Sequence, residues 1–175
     1  MEEVRPATAE DLDDLERLAA TARSELGTER GGLMWQLLHG RPEPLRDTLA
    51  ADLAEVAAGT GTVLVGTWAG APAGYAAAHR DVLGDGTTVA VVSDIYVEPG
   101  FRGVGLGQAL MDALLAWAEG HGCRGIDALA LPGMRHSKNF FERFGLTARA
   151  ILVHRDLRPP VPDDDPDRTG AAEGR

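Results

Sequence analysis

The sequence predicts an α/β domain built on a mixed sheet flanked by helices. Three observations lead there. An apolar run from Val89 to Val97 reads as a buried strand, and a glycine-rich turn at Arg102-Gly103-Val104-Gly105-Leu106-Gly107 follows it. An amphipathic stretch from Leu106 to His121 then reads as a helix opening out of that turn. Upstream, two more strand-like runs reach the first through tight turn signals, which adds antiparallel pairing to the sheet.

The elements follow in order. Glu3–Arg5 is a short strand, and Thr8-Ala9-Glu10-Asp11 carries a capping threonine with an acidic residue three positions later. Leu12, Leu15, Leu18 and Ala19 recur at helical spacing, so a first helix runs to about Glu25. Glycines 27, 31 and 32 interrupt it before a short helix over Leu33–His39, and Pro42 and Pro44 separate that from an amphipathic helix over Leu45–Ala58. Strands are expected at Thr62–Ala69, Ala73–Leu83 and Thr87–Val97, joined by Gly70-Ala71-Pro72 and Gly84-Asp85-Gly86. The helix after the glycine turn ends near Gly120 and Gly122, residue types suited to a C-terminal cap. A strand at Gly125–Leu131, a short helix at Arg135–Phe144 and a final strand at Thr147–Leu157 complete a single domain over 1–158. Residues 159–175 are rich in proline and aspartate with little to bury, and a disordered tail is expected.

Composition narrows the function. A chain of 175 residues, 44% hydrophobic and 25% charged, is that of an ordinary globular domain. A net charge of −10 argues against a nucleic-acid partner, which would need a basic footprint. No apolar run approaches the roughly 20 residues that span a bilayer, so no membrane role is expected. The single cysteine, Cys123, reads as a small buried hydrophobe in a reducing, cytoplasmic setting. Arginine in place of lysine, with abundant alanine and glycine, is the usage of a GC-rich bacterial genome. His39, His121, His154 and Cys123 show no ligand spacing, so no metal is expected.

The glycine turn is where chemistry enters. Glycines let backbone approach an anion closely, and the first N–H groups of a helix lack partners within it and point at such a ligand. The helix dipole adds to the attraction. A phosphorylated ligand is therefore expected. The spacing excludes two familiar cradles. Glycines at 103, 105 and 107 miss the G-x-G-x-x-G register of a dinucleotide fold, and the only lysine, Lys138, lies far from where a nucleoside-triphosphate loop needs it.

Arg102, Gly105 and Gly107 fill the fixed positions of the [QR]-x-x-G-x-[GA] motif of the GCN5-related N-acetyltransferases, and the chain resembles that family. The resemblance covers roughly residues 3 to 157. Asp94-Ile95-Tyr96-Val97-Glu98-Pro99 is similar to its D-L-Y-V-x-P strand, and Phe140-Phe141-Glu142-Arg143-Phe144-Gly145-Leu146 to its F-Y-E-x-x-G-F signature. The opening Val4-Arg5-Pro6-Ala7-Thr8 resembles a common family start. The resemblance implies a sheet whose cradle strand and following strand splay apart to admit acyl-CoA. It implies a pyrophosphate on the amides of Gly103, Val104, Gly105, Leu106, Gly107 and Gln108, with Arg102 fixing the loop or supplying charge. It further implies that the pantetheine arm pairs with the backbone of Ile95, Tyr96 and Val97. The Leu33–His39 helix would cover the acceptor mouth.

The implied reaction is direct attack of a primary amine on acetyl-CoA within a ternary complex. The acceptor would be a small molecule or a protein N-terminus or lysine. Such a step needs a neutral amine, a polarised thioester and a proton for the departing thiolate. The family's acid, a tyrosine, aligns with Phe141, and its frequent asparagine with Met134. A non-catalytic or weakly catalytic acyl-CoA-binding module is accordingly the alternative. Asp94 reads either as base or amine anchor or as a strand carboxylate, and a bulge would decide which way it faces. His79 reads as a base or as an exposed strand histidine. Ser137 reads as a donor to the sulfur or as a helix cap, and Asn139 as a contact to the CoA arm. Relatives often dimerise, which places a homodimer among the expectations.

Overall fold

The computed structural model describes residues 1–155 and 157. Its sheet runs β1 (Glu2–Pro6), β2 (Gly61–Trp68), β3 (Ala71–Val82), β4 (Thr88–Val97) and β5 (Ile126–Asp127), in spatial as well as chain order. The first four are antiparallel neighbours, and β5 lies parallel to β4. A parallel neighbour requires a crossover, and α4 (Leu106–Gly120) provides it.

Helices cover both faces. On one, α1 (Leu12–Thr28) and α3 (Leu45–Ala58) present Leu15, Leu18, Leu45 and Leu49 to Val63, Val65, Tyr75 and Tyr96, and α2 (Gly32–His39) packs beside α1. On the other, Leu110, Met111 and Leu114 of α4 and Phe141 of α5 (Arg135–Arg143) meet Leu64, Ala76, Ala78 and Val92. Each such leucine contributes about 1.5–3 kcal/mol by leaving water. Two glycines let α4 and the strands close up. A Cβ on Gly66 would lie 2.9 Å from Leu106 Cδ1, and one on Gly74 only 2.7 Å from the Tyr96 carbonyl oxygen.

The entry to α1 is built as its sequence suggests. Thr8 Oγ1 accepts from the Glu10 amide at 3.3 Å, and Asp11 Oδ2 accepts from the Thr8 amide at 2.8 Å. Asp11 also takes a two-pronged bond from Arg5 at 2.8 and 2.6 Å, and these bonds hold its buried carboxyl down at about 2.

One irregularity sets the direction of the residues that follow it. Ala77 pairs with Asp94 but Ala78 pairs with Val92, so Ser93 is an extra residue on β4. Val92 faces α4, and simple alternation would send Asp94 the same way. The bulge reverses this: Asp94 and Tyr96 turn to the α1 side, while Ile95 and Val97 face α4.

Two expected strands are not formed as expected. The run 125–131 gives only the two residues of β5, because the chain swings away from β4 after Asp127. None of residues 147–155 or 157 is in a strand. A strand needs a neighbouring ladder to satisfy its backbone, and two-residue β5 offers almost none. Ile151, Leu152 and Val153 are exposed as a result, and Arg149 ties the segment to Asp127 by an ion pair. The expected tail, 159–175, lies outside the described residues. Among the described residues no helix is long and apolar enough to cross a membrane.

Candidate active site

β4 and β5 pair only at Ala90 with Ile126 and Val91 with Asp127, then diverge. The V-shaped notch between them opens into a cavity of about 1000 Å³. Its walls come from β4, the glycine turn, α5, the end of α1, Trp35 of α2 and the loop carrying Arg41.

The glycine turn forms one end. Gly103 and Gly105 have φ of +81° and +98°, left-handed values that strain any side chain. Gly105 caps α4, so the helix dipole points out over the turn. Among the described residues, no acceptor is found for the backbone amides of Gly103, Val104, Gly105, Leu106, Gly107 or Gln108. A Cβ on Gly107 would meet Phe140 Cε2 at 3.6 Å and Val97 Cγ2 at 3.7 Å. This is a concave surface of free donors, suited to a pyrophosphate. Val104 and Leu106 do not line the cavity, and the Leu106 side chain is fully buried in the core.

The open edge of β4 forms the floor. Tyr96 pairs with Tyr75 and the Glu98 amide donates to Ala73 at 2.9 Å, so strand alternation turns the N–H and C=O of Ile95 and Val97 outward into the notch. Tyr96 differs from the expectation placed on it. Its backbone faces β3, and its side chain turns to α1, where the hydroxyl donates to Glu25 at 2.7 Å. Arg102 spans the edge: Nε donates to the Val97 carbonyl at 2.9 Å and Nη2 to Glu25 Oε2 at 2.6 Å. Its guanidinium lies 5.6 Å from the Tyr96 ring centre.

Charged side chains make the opposite wall. Arg41, only 11% exposed, pairs with Asp94 and lies 2.7 Å from Asp52 Oδ2. Burial opposes its charge, but the two carboxylates hold the guanidinium protonated above its ordinary value. Beside them the wholly buried Tyr75 phenol is pushed up by burial and by the Asp94 charge. Burial also raises the Tyr96 phenol, as does its bond to Glu25. Burial acts against ionisation of Glu25 as well, yet the bonds from Arg102 and Tyr96 bring its carboxyl below the usual range.

The candidates from sequence are divided by this geometry. Asp94, Ser137, Asn139 and Phe141 all line the cavity. Ser137 makes no cap to α5, whose N-cap residue is Met134 and which has no side-chain capping hydrogen bond. His79 does not line the cavity: its Nδ1 lies 3.1 Å from Ser93 Oγ and its Nε2 3.5 Å from Asp81. It sits on the strand surface because β3 alternation points it there. Glu25 and Arg41 were not singled out by the sequence, where each is one charge among many. No group of three or more histidine, cysteine or acidic side chains among the described residues is arranged to hold a metal.

The sequence profile of the acetyltransferase (GNAT) family matches residues 31–146. The chain belongs to that family. Within it, a stretch of 64 residues is 44% identical to serotonin N-acetyltransferase 2, chloroplastic, of rice, covering 37% of this chain and 32% of that enzyme. The chain thus matches about a third of the length of this relative. The fold of this GNAT-family protein is similar to that of AAC(6')-Iy, solved with a bisubstrate analogue of CoA and an acetylated neamine. There the TM-score is 0.65 at 20% identity, over 91% of this chain and 99% of the other. It is also similar to a Bacillus halodurans protein, with a TM-score of 0.72 at 19% identity over 89% and 99% of the two chains.

Proposed function

We propose that this GNAT-family protein transfers an acetyl group from acetyl-CoA to a primary amine, on a small molecule or on a protein N-terminus or lysine. The observation that carries the reading is the unpartnered amide run 103–108 set against the open β4 edge. The amides suit a pyrophosphate, and the N–H and C=O groups of Ile95 and Val97 suit the amides of a pantetheine arm. That arm leads the thioester toward the floor of the notch, beside Asp94 and α5. The CoA-based analogue held by AAC(6')-Iy and the serotonin acetylation for which the rice relative is named are consistent with this.

The bound cosubstrate supplies an activated acyl group. The residues of this chain then orient it, and an outward N–H near Val97 polarises the carbonyl. Asp94 serves as an anchor on the acceptor side, its carboxylate already committed to Arg41. Ser137 lines the cavity one turn before Phe141 on α5, placed to act as a proton donor to a departing sulfur. His79 acts through Ser93, which lines the cavity. Asn139 serves the CoA arm. A cytoplasmic, bacterial setting is supported by the lone cysteine and the arginine-rich composition, and a homodimer by the exposed Ile151–Val153 run.

Phe141 favours a second reading, an acyl-CoA-binding module with little turnover, because phenylalanine has no proton to give. Calorimetric titration with acetyl-CoA and with CoA tests the shared part, and micromolar binding is expected. No binding at millimolar ligand overturns both readings. Amine-stimulated CoA release separates them.

A further inference from the structure

Arg102 and Glu25 meet across the cavity, 77 positions apart in the chain. The contact joins the residue before the amide cradle to the last turn of α1. Three features make it more than a surface pair. Arg102 caps the outward Val97 carbonyl on the open β4 edge, a group that an arm laid along that edge needs free. Its guanidinium is the one cation within 4 Å of Glu25 among the described residues. Glu25 keeps a second partner, Tyr96, which holds the carboxylate in place when Arg102 leaves.

We infer that Glu25 is the subsite for the positively charged acceptor, and that Arg102 occupies it in the ligand-free protein until acyl-CoA draws the guanidinium away. This rests on the acyl-CoA reading of the same cavity. Phosphate oxygens held by the 103–108 amides lie beside Arg102 and offer a guanidinium a stronger, bidentate partner than a half-exposed carboxylate does. Release uncovers two groups together: the Val97 carbonyl for the arm, and the Glu25 carboxylate for an ammonium or guanidinium. Glu25 then carries an unpaired charge in a cavity that Trp35 also lines. The exchange of one cation for another keeps the site near neutrality, and it makes the acceptor's affinity depend on the cosubstrate. The acceptor class is therefore cationic, with neutral or anionic analogues excluded.

Two titrations on the full chain test this. CoA is titrated into wild type, Glu25→Gln, Arg102→Gln and the double variant. Glu25→Gln binds CoA roughly two- to fivefold more tightly, since Arg102 no longer has a pair to break. That gain disappears in the Arg102→Gln background. A gain that persists there comes from general charge relief and overturns the latch, as does no gain at all. Tryptamine is then titrated with and without saturating CoA, beside its uncharged analogue tryptophol. CoA raises tryptamine affinity at least severalfold, Glu25→Gln abolishes the rise, and tryptophol shows none. Tryptamine affinity that CoA leaves unchanged, or a rise that tryptophol shares, overturns the subsite. Failure of CoA to bind any of the four proteins overturns the acyl-CoA reading itself and is read separately in the first titration.

Discussion

The two walls of the cavity are made of different material. The cradle and the β4 edge are backbone: amides 103–108 and the outward groups of Ile95 and Val97, held by glycines and by strand geometry. The facing wall is side chain: Arg41, Asp94, Glu25 and Arg102, with Asp52 of α3 behind Arg41, brought together from α1, α3 and three separate loop or strand segments. A backbone site depends on a few conformations and tolerates most neighbours. A side-chain wall depends on charge balance, and each member removed strands another.

The largest expected effect tests that contrast on the side-chain wall. Arg41→Met leaves Asp94 and Asp52 facing each other without their cation, and stability falls by about 3 kcal/mol. The urea midpoint reads it; an unchanged midpoint would mean that water already balances those carboxylates. On the backbone wall, Gly105→Glu forces a side chain into a φ of +98° and sets a carboxylate where anions are expected. Acetyl-CoA affinity should fall roughly a hundredfold by calorimetry, about 2.7 kcal/mol. Unchanged affinity would show that the cradle assignment is wrong.

Asp11 belongs to neither wall and serves as a control. Its carboxyl is held at about 2 in the folded protein, against about 3.9 when unfolded, so it contributes about 2.6 kcal/mol. The folded value is depressed, so the contribution is complete above about pH 4 and is lost as pH falls toward 2. Asp11→Asn should remove that slope from the acid-unfolding curve while CoA affinity stays as it was. The smallest effect concerns chemistry. Phe141→Tyr should raise amine-dependent CoA release by roughly tenfold or less, because a thiolate with a pKa near 8.5 leaves readily without an acid. CoA affinity should hardly move. No rise would point to Ser137 or to solvent as the donor.

What the sequence made legible follows the same division. Glycine spacing marks a backbone cradle directly, since left-handed φ at Gly103 and Gly105 admits little else. Helical periodicity placed α3 at Leu45–Ala58, and α4 begins at Leu106 as its pattern indicates. The failures are failures of partnership. Gly125–Leu131 and Thr147–Leu157 both carry strand-like residues, but propensity does not supply a neighbouring ladder, and only Ile126–Asp127 found one. Arg41 and Glu25 escaped because their significance lies in contacts 53 and 77 residues away, on which local spacing is silent. Asp94 was ambiguous for a narrower reason. Which face it takes turns on a single unpaired residue.

That residue, Ser93, acts on β4 as a frame shift acts on a message. Everything before it is read in one phase, with Val92 toward α4, and everything after it in the other. Deleting Ser93 would leave that reading intact, because Asp94 would follow Val92 directly and still face α1 opposite Ala77. Straightening the strand with Ser93 kept in the ladder would do the opposite. Asp94 and Tyr96 would be driven into the apolar layer beneath α4, and Ile95 and Val97 would take their places beside Arg41 and Glu25, with no charge to offer either. Substitutions along β4 change one letter of the site at a time, whereas losing the bulge would turn the whole word over.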